Sequence, residues 1–197
     1  MARRHGAELE DAIRAAVLDL VRERGVSAVT MEAVATRART SKPVLYRRWP
    51  DRAALLRDAL LAAATAAIPH ADTGGYRGDM LAVLRGWAAA MTGELAPVLV
   101  AVISATAEDP ELAVAFREGV IGWRKQEMEE LIGRAVARGE ARPDVPVHLV
   151  RELGQSVLWH RLLVSGDPID DALVTAIVDE VLLPVVAPRS ADRPPAT

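Results

Sequence analysis

Between residues 25 and 50 the chain is interrupted so often that no long element fits there. Gly25 follows Arg22 and Arg24, a basic last turn and then a residue that stops a helix cheaply. Thr30 stands where a hydroxyl caps a new helix, and Glu32 falls in its first turn, where the helix dipole favours an anion. Ala38-Arg39-Thr40 breaks that helix. Thr40 or Ser41 can cap the next one, and Pro43 sits in its first turn, where a missing N–H costs nothing. Pro50 closes the segment. Two short helices follow, roughly 31–37 and 42–48, joined by a tight turn.

A longer helix precedes them. Leu9, Ile13, Ala16, Val17, Leu20 and Val21 recur every three or four residues and form one apolar stripe over about 8–24. Residues 26–29 are apolar but too short to build a sheet. Downstream, Asp51 caps a helix to about 67, and similar patterns predict helices near 76–93, 95–107, 110–138, 147–164 and 169–183. Aromatic residues are 4% of the chain, and no run of alternating apolar and polar residues appears. The expected fold is therefore all-α, with about nine helices. Residues 1–50 would form a three-helix helix-turn-helix domain and residues 51–187 a larger helical domain for ligand binding and dimerisation. Residues 188–197 would be a disordered tail.

Charge is divided unevenly. Residues 1–57 hold twelve Lys and Arg against seven Asp and Glu, a net of +5, while the remainder is −8. A basic first segment on an acidic remainder points to a polyanionic partner. The chain has no cysteine, which excludes a disulfide scaffold and thiolate chemistry. No leader-like apolar stretch follows Arg3 and Arg4, so a cytoplasmic protein is expected. The most apolar stretch, 86–107, contains Glu94 and Pro97 and reads as buried helix. There is no nucleotide-binding glycine loop and no Ser-His-Asp set, so an enzyme is not expected, and no cofactor is implied. His148 and His160 are read as structural residues, so no metal site is expected either.

The residues Thr30-Met31-Glu32-Ala33-Val34-Ala35, followed by Ser41-Lys42-Pro43-Val44-Leu45-Tyr46-Arg47-Arg48-Trp49-Pro50-Asp51-Arg52-Ala53-Ala54-Leu55, resemble the N-terminal domain of the TetR/AcrR family of transcriptional regulators. The resemblance covers residues 8–57. Weaker likenesses to C-terminal parts of the family lie at residues 130–145 and at Trp159-His160-Arg161-Leu162-Leu163. Two positions depart from the family pattern. Arg39 occupies a turn position that usually holds glycine, and Trp49 replaces a commoner Phe.

The resemblance implies a homodimer that binds a palindromic double-stranded DNA operator and is released by a small, apolar effector. Lys42, Tyr46 and Arg52 would contact phosphates, Val44 base edges, and Arg47 and Arg48 either. Thr30 would cap its helix or meet a phosphate, with Ser41 and Pro43 at the start of the recognition helix. The arm Arg3-Arg4-His5 would enter the minor groove or be disordered. Candidate pocket residues are Trp87, Met91, Val98, Val102, Phe116, Val120 and Trp123, with Leu95 and Met128 as further candidates. The dimer seam would use Leu149, Leu153, Val157, Leu158, Arg161, Leu162, Leu173, Ile177 and Val181. The alternative is a helical dimer that sequesters a ligand or partner without binding DNA.

Overall fold

The computed structural model describes residues 6–189, all helical apart from turns and loops. The arm Arg3-Arg4-His5 and residues 190–197 of the expected tail lie outside the described residues. Nine helices are present among the described residues, as the punctuation predicts. They are α1 (Ala7–Arg24), α2 (Met31–Arg37), α3 (Lys42–Tyr46), α4 (Arg52–Ala67), α5 (Tyr76–Thr92), α6 (Ala96–Ala105), α7 (110–137), α8 (147–165) and α9 (171–186). Residues 26–28 form a single 3₁₀ turn, so the short apolar run is no strand.

Thr30 and Asp51 form the caps that the sequence specifies, whereas Ser41 makes no side-chain cap on α3. Thr30 Oγ1 accepts the Ala33 N–H at 3.1 Å, Asp51 the Ala54 N–H at 2.7 Å, and Asp109 the Leu112 N–H at 2.9 Å. Asp170 caps α9 in the same way, so the helix starts at 171, two residues beyond the expected start. α9 also runs past Pro184, to Val186. A proline there cannot donate to the helix ladder, and the wider i→i+5 turn Ile177–Leu182 directly precedes it.

The helices pack into two compact units. One comprises residues up to Ala64 together with Glu94–Trp123; the other comprises Thr65–Gly93 and the residues from Arg124 onward. In the first unit α1 packs against α2 and α6, and α2 against α3. Its core contains Ile13, Val17, Val34, Leu45, Leu55 and Leu56, all fully buried. Trp49, which stands where the family more commonly has Phe, is also buried. Where α4 passes α7, a Cβ on Gly119 would meet the Arg57 side chain at 2.9 Å, so only glycine fits without a shift. In the second unit α5 packs against α8 and α9. Gly154 of α8 permits this approach, since a Cβ there would lie 3.3 Å from both Leu84 and Leu182.

Candidate nucleic-acid interface

Helix α3 is held from one side by Leu45, which is fully buried. Burying one leucine contributes about 1.5–3 kcal/mol. That anchor leaves the rest of the helix facing outward. Ser41, Lys42, Pro43, Tyr46, Arg47 and Arg48 are exposed and Val44 is half-buried. Tyr46 is 51% exposed, which rules out a core role for its ring. Ser41 occupies the N-cap position but makes no side-chain cap, so its hydroxyl remains available.

The turn before α3 has a defined geometry. Thr40 N–H donates to Ala35 O at 2.9 Å and Arg39 N–H to Thr36 O at 3.2 Å. This wraps the end of α2 and requires a left-handed residue in between. Arg39 supplies it with φ 54°, the one non-glycine residue with positive φ among those described. The position where the family pattern has glycine is thus left-handed here, with an arginine in it. A Cβ in this region costs about 1–2 kcal/mol.

The cations differ in how far they are already committed. Arg47 and Arg39 are exposed, with no ion pair among the described residues. Lys42 Nζ lies 3.4 Å from Glu32 Oε2, a loose pair on solvated side chains. Arg48 pairs with Glu10, and Arg37 with Glu23. The Arg37 contact holds the Glu23 carboxyl below its ordinary pKa and raises that of Arg37.

Arg52 is placed differently. Its Nε donates to Val29 O at 2.8 Å, one terminal nitrogen to Val26 O at 3.1 Å, and the other to Asp109 at 2.9 Å. The guanidinium thus ties the start of α4 to the loop before α2 and to the cap of α7. These bonds compete with any phosphate.

Of the pocket candidates, Trp87 and Met91 are buried on α5 in the second unit. Val98, Val102 and Val120 are buried in the first unit, and Phe116 and Trp123 are half-buried there. Of the seam candidates, Leu153 and Val181 are exposed, and Val157, Arg161, Leu162 and Leu173 half-buried. Leu158 and Ile177 are turned into the unit's own core, at 0% and 3% exposure. Leu149, Leu163 and Val164 are also exposed apolar residues of α8. Sequence periodicity marks which residues are apolar but not which face of a helix finds its partner within the chain.

The structure also brings together groups that sequence spacing does not connect. His70 Nδ1 lies 2.7 Å from Glu127 Oε2, with Glu130 nearby, whereas the sequence draws attention only to His148 and His160. The buried Arg124 lies close enough to Tyr76 for each to perturb the other's ionisation. No helix pattern indicates that an arginine at this position faces inward.

A short exposed helix after a tight turn, anchored by one leucine and flanked by cations, is what a protein lays in the major groove of DNA. The fold and this surface define a helix-turn-helix transcriptional regulator. Residues 13–59 match the family described as bacterial regulatory proteins, tetR family, and residues 70–181 match the tetracyclin repressor-like C-terminal domain. The chain is 35% identical over 181 residues to the DNA-binding transcriptional repressor TetR of Mycobacteroides abscessus, covering 90% of this chain and 93% of that one. It is 30% identical to the HTH-type transcriptional regulator YdeS of Bacillus subtilis, covering 85% and 84%. A crystal structure of a TetR family transcription regulator superposes with a TM-score of 0.74 at 35% identity, covering 92% of this chain and all of that one. The chain belongs to the TetR family of DNA-binding transcriptional regulators.

Proposed function

We propose that the protein is a homodimeric repressor that binds a palindromic operator in the cytoplasm and is released by a small molecule. The observation that carries this reading is α3, anchored through Leu45 with Lys42, Tyr46 and Arg47 exposed. Lys42 and Tyr46 contact phosphates, Val44 reads base edges, and Arg47 and Arg48 add charge-assisted contacts. Ser41 and Pro43 start the helix against the DNA backbone, and the Thr30 cap holds α2 behind it. Arg39, exposed in the turn, adds a further cation beside those expected from the sequence. Arg52 orients the helices from behind rather than touching DNA, because its donors are already used.

The exposed residues Leu149, Leu153 and Val164 and the half-buried Val157 on α8, with exposed Val181 on α9, pair with their mates in a second copy. Two recognition helices about one DNA turn apart, roughly 34–36 Å, then meet the two half-sites. Effector binding favours a state with a different spacing, and must have differential affinity for the two states to do so.

Selection from a random duplex library with the purified protein tests this reading. An enriched palindrome is expected. In the Lys42→Ala/Tyr46→Ala double variant, affinity should fall with the dimer intact. The salt slope should shrink by about 0.9 for each phosphate that loses its cation. Unchanged affinity in that variant refutes the assignment of α3. No enrichment from a folded dimer gives the lead to the sequestering alternative.

A further inference from the structure

Arg124 is the largest fully buried side chain among the described residues, at 2% exposure. Its Nε and Nη2 have no hydrogen-bond partner. Those two N–H groups form the side-on fork of a guanidinium, the geometry that receives both oxygens of a carboxylate. The same unit uses that fork twice at its surface. Arg77 Nε and Nη2 donate to the two Asp179 oxygens at 2.7 and 2.8 Å, and Arg85 does the same to Asp171 at 2.6 and 3.1 Å. At Arg124 the protein supplies no carboxylate.

Tyr76 is the buried polar group that Arg124 faces, with the Glu127 carboxylate close enough to act on it without pairing. The Tyr76 hydroxyl, also buried, has no partner. Trp87 Nε1 is another unmet donor of this unit, but it lies three turns, about 16 Å, further along α5 and is not part of this site. Met80 and Met128, each one turn beyond Tyr76 and Arg124, are buried at 1% and 0% exposure. The charged groups that act on Arg124 are Glu127 and Arg151. Glu127 forms no ion pair with Arg124 and instead meets His70 at 2.7 Å. Arg151 pairs with Glu152. Burial lowers the Arg124 pKa to about 10, so the group remains a cation at neutral pH. A buried cation without a partner is costly, and water alone does not neutralise it.

We infer that Arg124 and Tyr76 form a buried anion-binding site that takes the carboxylate of a small apolar acid. This rests on the effector reading above and specifies the chemistry of the effector. The guanidinium fork holds both carboxylate oxygens and the phenol donates to one of them. The apolar remainder of the acid packs against side chains such as Met80 and Met128. In a site closed to water these charge-assisted bonds are stronger than at the surface.

Full-length protein is titrated with benzoate and decanoate, and separately with benzamide and decanamide, following thermal unfolding and binding heat. The acids should raise Tm and the amides should not. Arg124→Met should weaken acid binding at least about tenfold, as loss of charged hydrogen bonds requires. It should also leave the ligand-free Tm unchanged or higher, since it removes an unpaired buried charge. Tyr76→Phe keeps the shape and should weaken the acids less; it serves as the readout if Arg124→Met does not fold. Equal shifts from acids and amides, undiminished acid binding in both variants, or no acid moving the wild-type Tm would each overturn the inference. Operator binding by the same wild-type sample is measured without acid. DNA binding with no acid effect defeats only the site, and acid binding with no DNA affinity defeats only the regulator reading.

Discussion

The two units treat their polar side chains in opposite ways. In the first, the inward-reaching arginine, Arg52, has a partner for each of its nitrogens. In the second, Arg124 has none at Nε or Nη2, and Tyr76, Trp87, Asp79 and Arg134 each also carry a buried polar atom without a hydrogen-bond partner. Among the described residues, all such atoms lie in the second unit. Asp79 and Arg134 are less exposed to penalty than they look. Asp79 lies 3.7 Å from Arg138 and 4.0 Å from Arg134, so charge offsets the missing hydrogen bonds. The remaining orphans are all donors. A surface that reads DNA needs a rigid support with every bond made. The second unit retains buried donors without partners, at a cost in stability, and the proposed acid would satisfy those of Arg124 and Tyr76.

Exchanging each arginine for methionine gives the largest contrast. Arg52→Met leaves two carbonyls and Asp109 without their partner and should destabilise the protein by about 2–3 kcal/mol. Arg124→Met should cost nothing or stabilise. Urea unfolding of both variants measures the difference, and equal losses would erase the distinction between the units.

A smaller effect comes from Asp109→Ala, which removes a cap and the Arg52 partner. Its expected cost is about 1–2 kcal/mol at pH 7. The Leu112 N–H, and then the Arg52 guanidinium, hold the Asp109 carboxyl below its ordinary value of 3.8. A carboxyl lowered in the folded state stabilises above its unfolded pKa and loses that contribution as pH falls through the folded one. The gap between wild type and variant should therefore be complete above about pH 5 and close below 3.8. A gap that persists in acid would show that charge is not what the cap supplies.

The smallest change sharpens the picture of the first unit. Arg39→Gly relieves the left-handed strain but loosens the unfolded chain, for a net gain of about 0.5–1 kcal/mol. Thermal unfolding reads the gain. If the same variant also binds DNA more weakly, the strain is tolerated for the sake of the cation.

Legibility in the sequence follows the same division. Caps and stops are local, so Thr30, Asp51, Asp109, Gly25 and Pro43 mark the boundaries of their helices nearly to the residue. The left-handed turn at Arg39 is likewise legible, through a glycine the family pattern has there and this chain lacks. For Arg52 the family resemblance implies a phosphate contact, and the sequence does not reveal the carbonyls of Val26 and Val29 that already receive its donors. Leu158 and Ile177 enter the expected seam for a related reason. An apolar stripe records a buried face without saying whether the burial lies within one chain or between two. Arg124 is silent in the sequence altogether, since an arginine among Lys125, Glu127 and Glu129 looks like an ordinary solvated residue.

The chain passes between its units at 64/65, 93/94 and 123/124, so neither is a contiguous stretch of sequence. During synthesis the ribosome must release about half of the polypeptide before α1 can meet α6 and the reading head acquires its full support. A gene fragment ending near residue 64 would encode the recognition helix without the partners that hold it. Recombination that transplants the head alone onto another sensor would sever the same contacts. Such a chain is expected to vary through point substitutions within its own second unit rather than by exchange of whole modules.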